Sequence, residues 1–283
     1  MEPNLALQGV LLPAVLAGLV LLVGWRLHRR DGGAAPAWVV SLAVGAAAAS
    51  GHVLRFGWQW APRESWRWLG WIVCAAALLG MLETWPATRP SAWRWGARAA
   101  VTWAALRLVL GYKLERAWTG FEGQAVLAAL CAAVLCAWWL WERGLGAFAA
   151  RSGALFLWST WTLGAVMLLF AYSARLAELG GAVCAGLGAL VVAGFLRPRA
   201  SLGAALPVVL IGFACMSVLA VLQGKPDFHP AWFLSIFFAP AAGAAMARAG
   251  HPRPWLGFGI GLAGALVAAA IAWRSYAPSG YGT

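Results

Sequence analysis

The sequence predicts an all-α fold: a polytopic integral membrane bundle of about ten transmembrane helices, nine being the alternative count, with its N-terminus outside. Three observations carry this expectation. About ten almost purely apolar stretches of roughly 16 to 21 residues follow one another along the chain, each close to the length that crosses a hydrocarbon core as a helix. With 63% hydrophobic residues, a mean hydropathy of +0.76 and only 11% charged residues, a water-soluble fold would need a far larger interior than 283 residues enclose. The third is the placement of tryptophan: of 20 Trp, about 17 fall within a turn or two of a predicted span end, where an indole keeps its ring apolar and its N–H wet. Because lipid cannot hydrogen-bond an open backbone, and the stretches are too long and uniform for barrel strands, each is read as a helix.

The first span is Leu5 to Trp25. The residues before it, Met1-Glu2-Pro3-Asn4, are acidic where a cleavable leader would be basic, so the span is read as a retained helix. Arg26, Arg29 and Arg30 crowd behind it, which directs that loop inward. The second, Pro36 to Leu54, opens on a proline and holds Gly45 and Ala49 four apart. The third, Trp68 to Trp85, is bracketed by tryptophans, with Glu83 one turn from its inner end and taken as interfacial. The fourth, Ala97 to Tyr112, is short and carries Arg107, which is why nine is the alternative count.

Gly123 to Trp141, Gly153 to Tyr172, Leu179 to Leu196 and Leu202 to Leu222 follow as spans five to eight, the last with Pro207 in its inner third. The ninth, Ala231 to Ala247, has Pro240 and Gly243 at its middle and is a broken-helix candidate. The tenth, Trp255 to Trp273, contains Gly257 and Gly261, a spacing that lets another helix approach closely; Gly181 with Ala185 and Ala182 with Gly186 repeat it. Tight packing within one bundle is expected at all of them. Counting through ten spans places about 12 basic residues inside against 8 outside. The chain is one transmembrane domain, 1-283, which ten spans would divide into five-helix halves, 1-148 and 149-283.

Composition also excludes classes of function. The +12 formal charge is scattered in ones and twos between spans instead of forming a basic face, so anionic headgroups and not nucleic acid are the expected counter-charge. Cys74, Cys131, Cys136, Cys184 and Cys215 all lie in apolar runs and form no C-x-x-C pair, which suits small buried hydrophobes. No catalytic residue, metal site or cofactor is expected. The partners are membrane lipids and, in one reading, other membrane subunits, in the cytoplasmic membrane of a bacterium.

Few residues are left to form a site. Trp158, Ser159, Trp161 and Thr162 lie near the middle of the sixth span, away from the Trp belts, and would line a midplane cavity facing the Pro240 kink of the ninth. Arg107 needs a partner or an exit; about four residues, ~6 Å, from Gly111, it can snorkel to the headgroups or contact an anion. At the outer surface His52, Arg55, Arg63 and Arg67, together with Asp227 and His229 between Pro226 and Pro230, would form a vestibule. The leading functional reading is a small permease or lipid-handling bundle. A non-catalytic subunit that holds lipid or pigment is the alternative, and a transferase on a lipid-linked substrate, resting on the Arg and Trp loop 55 to 71, comes third.

Overall fold

The computed structural model describes residues 7–27, 36–85, 91–118, 120–146, 150–171, 173–196, 202–223, 231–248 and 254–276. Among these residues every regular element is a helix: a π-helical turn Leu7–Leu11 leading into α1 (Leu12–Leu27), α2 (Ala37–Phe56), a 3-10 turn Ser65–Trp68 leading into α3 (Leu69–Glu83), α4 (Ser91–Arg116), α5 (Gly120–Gly146), α6 (Ala150–Phe170), α7 (Ala174–Leu196), a 3-10 turn Leu202–Ala205 leading into α8 (Leu206–Gln223), α9 (Ala231–Phe237), α10 (Ala241–Arg248) and α11 (Pro254–Tyr276). Seven of these columns are long and apolar enough to cross a membrane: α1, α2, α3, α5, α6, α7 and α8. The chain is thus a helical membrane protein. Each of the ten predicted intervals coincides with a helix or, for the ninth, with the pair α9 and α10.

α8 is the axis of the bundle. It carries no charged residue and is apolar on all sides, so it is stable only when surrounded. α2, α3, α4, α5, α6 and α7 all pack on it, and Val208, Val209, Leu210, Ile211 and Phe213 are buried. Pro207 does not kink this helix; it occupies the first turn, where its missing N–H has no partner to lose, just after the 3-10 turn. α1 lies at the periphery on α2 and α7, burying only Pro13, Ala17, Leu21 and Gly24.

Glycine sets the closest approaches. A methyl group on Gly45 or Gly51 of α2 would collide with Ala77 of α3 or Ala182 of α7, and one on Gly186 would meet Ala47 at 2.9 Å. At the end of α2 the chain turns at Gly57, whose φ of 72° is in the left-handed region that glycine adopts without a steric cost.

The ninth column breaks at Pro240. Without a proline N–H the helical ladder cannot continue: Ala239 N–H turns to the Ile236 carbonyl at 3.4 Å and Ala241 N–H to that of Phe238 at 2.9 Å. The Phe237 carbonyl, which Ala241 would have capped, accepts instead from Trp141 Nε1 of α5 at 3.0 Å. Gly261 of α11 faces the break so closely that a side chain there would collide with the Ala239 carbonyl oxygen, and at Gly257 it would lie 2.7 Å from Ala242 O. The Gly257 and Gly261 spacing thus lays α11 directly onto the broken helix.

Candidate functional site

α6 divides the residues expected to line a midplane cavity. At 3.6 residues per turn Thr162 follows Trp158 by roughly 40°, whereas Trp161 is turned roughly 100° from Thr162. Trp161 therefore points into the bundle, where it is fully buried against Phe213 (ring centroids 4.7 Å), Phe237 (5.2 Å, edge-on) and Trp141 (5.7 Å). α6 and α9 are neighbours, with Pro240 buried at the break beyond, but this aromatic stack fills the space between them. Ser159 and Thr162 donate their hydroxyls to the Leu155 and Trp158 carbonyls of the preceding turn, both at 2.8 Å. Neither hydroxyl is aimed at the stack.

The open volume lies on the other flank of α6. A groove of about 1070 Å³ runs between α1, α6 and α7, with Trp158 and Thr162 on one wall, Val15, Gly18 and Leu22 on the other, and Gly181, Ala185 and Gly188 along its floor. It extends from Ala174 and Glu178 to Leu196 and Trp25, the full 23 residues of α7. At 1.5 Å per residue that is ~34 Å, the thickness of a hydrocarbon core. Small floor residues make the groove deep: a Cβ on Gly18 would meet nothing within 4 Å, and one on Gly181 only Val10 at 4.0 Å. The Trp158 ring is held over Gly188, where a Cβ would lie 3.4 Å from the indole nitrogen.

One end of this groove reaches Glu178, which belongs to a cluster of charged groups and aromatic rings. Arg55, at the end of α2, donates from Nε to Glu178 of α7 at 2.8 Å. Trp66, in the 3-10 turn, takes the Arg67 guanidinium at 5.0 Å from its centroid and that of Arg175 at 5.4 Å, with Phe56 edge-on at 4.8 Å. Arg67 is also bonded to Glu64 at 2.9 Å. Arg63 sits apart from the groove, with Gln59, Trp60, Glu64 and Arg67 around an open polar cleft of about 410 Å³. His52 does not belong to this surface. Facing Trp66 (6.2 Å) and Phe56 (5.6 Å), it is buried below them, and Gly70 leaves room for its ring. Asp227 and His229 lie outside the described residues.

Arg107 is exposed on α4. Because α4 continues to Arg116, Arg107 lies six residues, ~9 Å, from Lys113, still within a snorkelling side chain's range. Among the described residues the charged group that is deep in the protein is Arg98, which the sequence puts at the inner start of the fourth span. Arg98 donates twice to Glu83 of α3 (Nε to Oε1 2.7 Å, Nη2 to Oε2 2.8 Å) and to both carboxylate oxygens of Glu142 on α5, and its guanidinium is flanked by Trp95 (4.7 Å) and Trp138 (4.6 Å). Its side chain is 5% exposed, against 14% for Glu83 and 36% for Glu142. The signal available was that Glu83 and Glu142 are acids on the arginine-rich side, one within a turn of its span's end and the other just beyond its span; their convergence on one guanidinium is not visible in sequence spacing.

No group of three His, Cys, Asp or Glu able to hold a metal ion occurs among the described residues. Comparison with protein families, with curated proteins and with solved structures finds no match to this chain, so its chemistry has to be argued from its own residues.

Proposed function

We propose that the protein is a lipid-handling membrane bundle that holds the apolar chains of a lipid in the groove between α1, α6 and α7. The observation that carries this reading is the groove itself: an apolar slot as long as a hydrocarbon core, open sideways to the bilayer. A permease needs a path along its axis. Here the axis is α8, apolar and packed on all sides, so the volume available to a ligand is lateral and favours lipid handling over conduction. The Gly and Ala floor also suits a partner helix, the feature that favours a subunit role. Yet the Trp158 ring held over Gly188 makes the slot uneven along its length, a shape that flexible chains follow more closely than a straight helix.

In this reading α4, the α9 and α10 pair, and α11 also cross, giving ten spans with the N-terminus and the Trp66 end outside. In a cysteine-free background, a cysteine at Asn4 should react with an impermeant reagent from the outside and one at Gly32 should not. The reverse result would invert the orientation.

The groove is tested by counting lipid retained through mild detergent extraction. Gly18→Leu combined with Gly181→Leu fills it from two sides, since a Cβ at either position meets no backbone atom. A severalfold fall in retained lipid, with the fold intact, is the expected result; retention equal to the parent protein would refute the proposal.

A further inference from the structure

We propose that the lipid in the groove carries an anionic phosphate headgroup, bound at the Trp66 end by Arg175 with Arg55 beside it. This rests on the groove being a lipid site and adds the headgroup class. The argument is charge complementarity. Glu178 lines the mouth with Arg55 bonded to it, and next to this pair Trp66 carries the guanidinium groups of Arg175 and Arg67, the latter bonded to Glu64. Each carboxylate has its own arginine: Glu178 takes Arg55 and Glu64 takes Arg67. Arg175 remains, with no carboxylate partner among the described residues.

Its geometry suits a phosphate. Arg175 does not line the groove itself, but it is one turn before Glu178 on α7, beside Ala174 and Ala177 where the groove ends, within a long side chain's reach of the mouth. Trp66 receives it by the face of the ring, a contact that leaves the in-plane N–H donors unspent. Those donors form the planar fork that takes two oxygens of a phosphate at once. A lipid whose chains run down between α1 and α6 brings its headgroup to this level, where a phosphodiester supplies the missing negative charge. A zwitterionic lipid also carries a phosphate, but its ammonium would enter the same ring of arginines, so a net anionic headgroup is preferred.

The test reconstitutes the full chain in phosphatidylcholine vesicles containing a minority of phosphatidylglycerol, extracts it in mild detergent, and counts the retained lipids by class. Enrichment of phosphatidylglycerol over its share of the vesicle is expected, and Arg175→Gln should lower that enrichment about fivefold while total retained lipid per protein stays constant. Arg175→Lys, which keeps the charge and loses the fork, should fall between the two. Arg26→Gln, at the opposite end of the groove, should leave the preference unchanged. Lipid retained without headgroup preference, or a preference that survives Arg175→Gln or vanishes with Arg26→Gln instead, overturns the headgroup site and leaves the groove standing. No lipid retained in any variant, or a second protein mass in its place, overturns the groove and the headgroup site together.

Discussion

α7 presents two small-residue faces, and they meet opposite fates. Ala182 and Gly186 are pressed against α2, where Gly51 and Ala47 receive them at distances that admit no further atom. Gly181 and Gly188, offset by only a residue or two, open into the groove, Gly181 with almost nothing in front of it and Gly188 with only the Trp158 ring. The spacing grammar is the same on both faces, as it is at Gly257 and Gly261, where α11 seals the broken helix. A small-x-x-x-small pattern is therefore permission for close approach and not evidence that an approach is made. What differs is the neighbour: α2 packs along one face, while α1 and α6 flank the other and leave the groove between them.

This comparison of sealed and open regions can be broken by substitution. The largest effect should come from Arg98→Ala, which strands two carboxylates at the junction of α3, α4 and α5. Removing one partner of a buried ion pair costs about 3–5 kcal/mol, to be measured as a drop in thermal stability in detergent, and a loss below ~1 kcal/mol would show that water reaches the cluster. Next is Gly261→Ala, where even one methyl meets backbone carbonyl: a loss of about 1–3 kcal/mol or more is expected. Gly181→Ala, on the open face of α7, is its control and should be neutral or stabilising by up to ~1 kcal/mol. Similar losses for the two would mean that the groove is closed in the membrane.

Trp141→Phe keeps the aromatic contacts of the core but leaves the Phe237 carbonyl without its donor, and should cost about 1–3 kcal/mol. Stability equal to the parent would mean that water caps the break. The smallest effect is expected for Thr162→Val, whose hydroxyl bonds back to its own helix and otherwise meets only the weak Cys184 thiol: under ~0.5 kcal/mol, with lipid retention unchanged. A fall in retention would move that hydroxyl from helix packing to ligand contact.

Much of the fold was legible because hydropathy and helix length answer to the solvent and need no partner. The apolar intervals and the interruption at Pro240 are local properties, and both appear in the structure where the sequence put a helix or its break, whereas Trp141, near a predicted span end, is fully buried in the core. The site was less legible. Trp158 and Trp161 look equivalent in a list of midspan aromatics, yet one faces the groove and the other the core, because the direction of a helix face depends on which neighbours surround it. His52 was expected at the surface and is buried because the 3-10 turn folds Trp66 back over the end of α2. Glu83, Arg98 and Glu142 are separated by 15 and 44 residues, and nothing in that spacing announces a shared guanidinium.

By itself, then, the sequence determined the solvent and the secondary structure: uninterrupted apolar runs force backbone polar groups to be satisfied within each segment, so helices follow wherever the runs occur. Only the tertiary structure decided which faces are used. Lipid is as apolar as the helices it surrounds, so hydrophobicity cannot sort buried from exposed faces within a membrane, and that choice falls to packing, to the partners of Arg98 and to the carbonyls released at Pro240. α8 became the axis and α1 the outer wall of an open groove although both read alike as apolar spans.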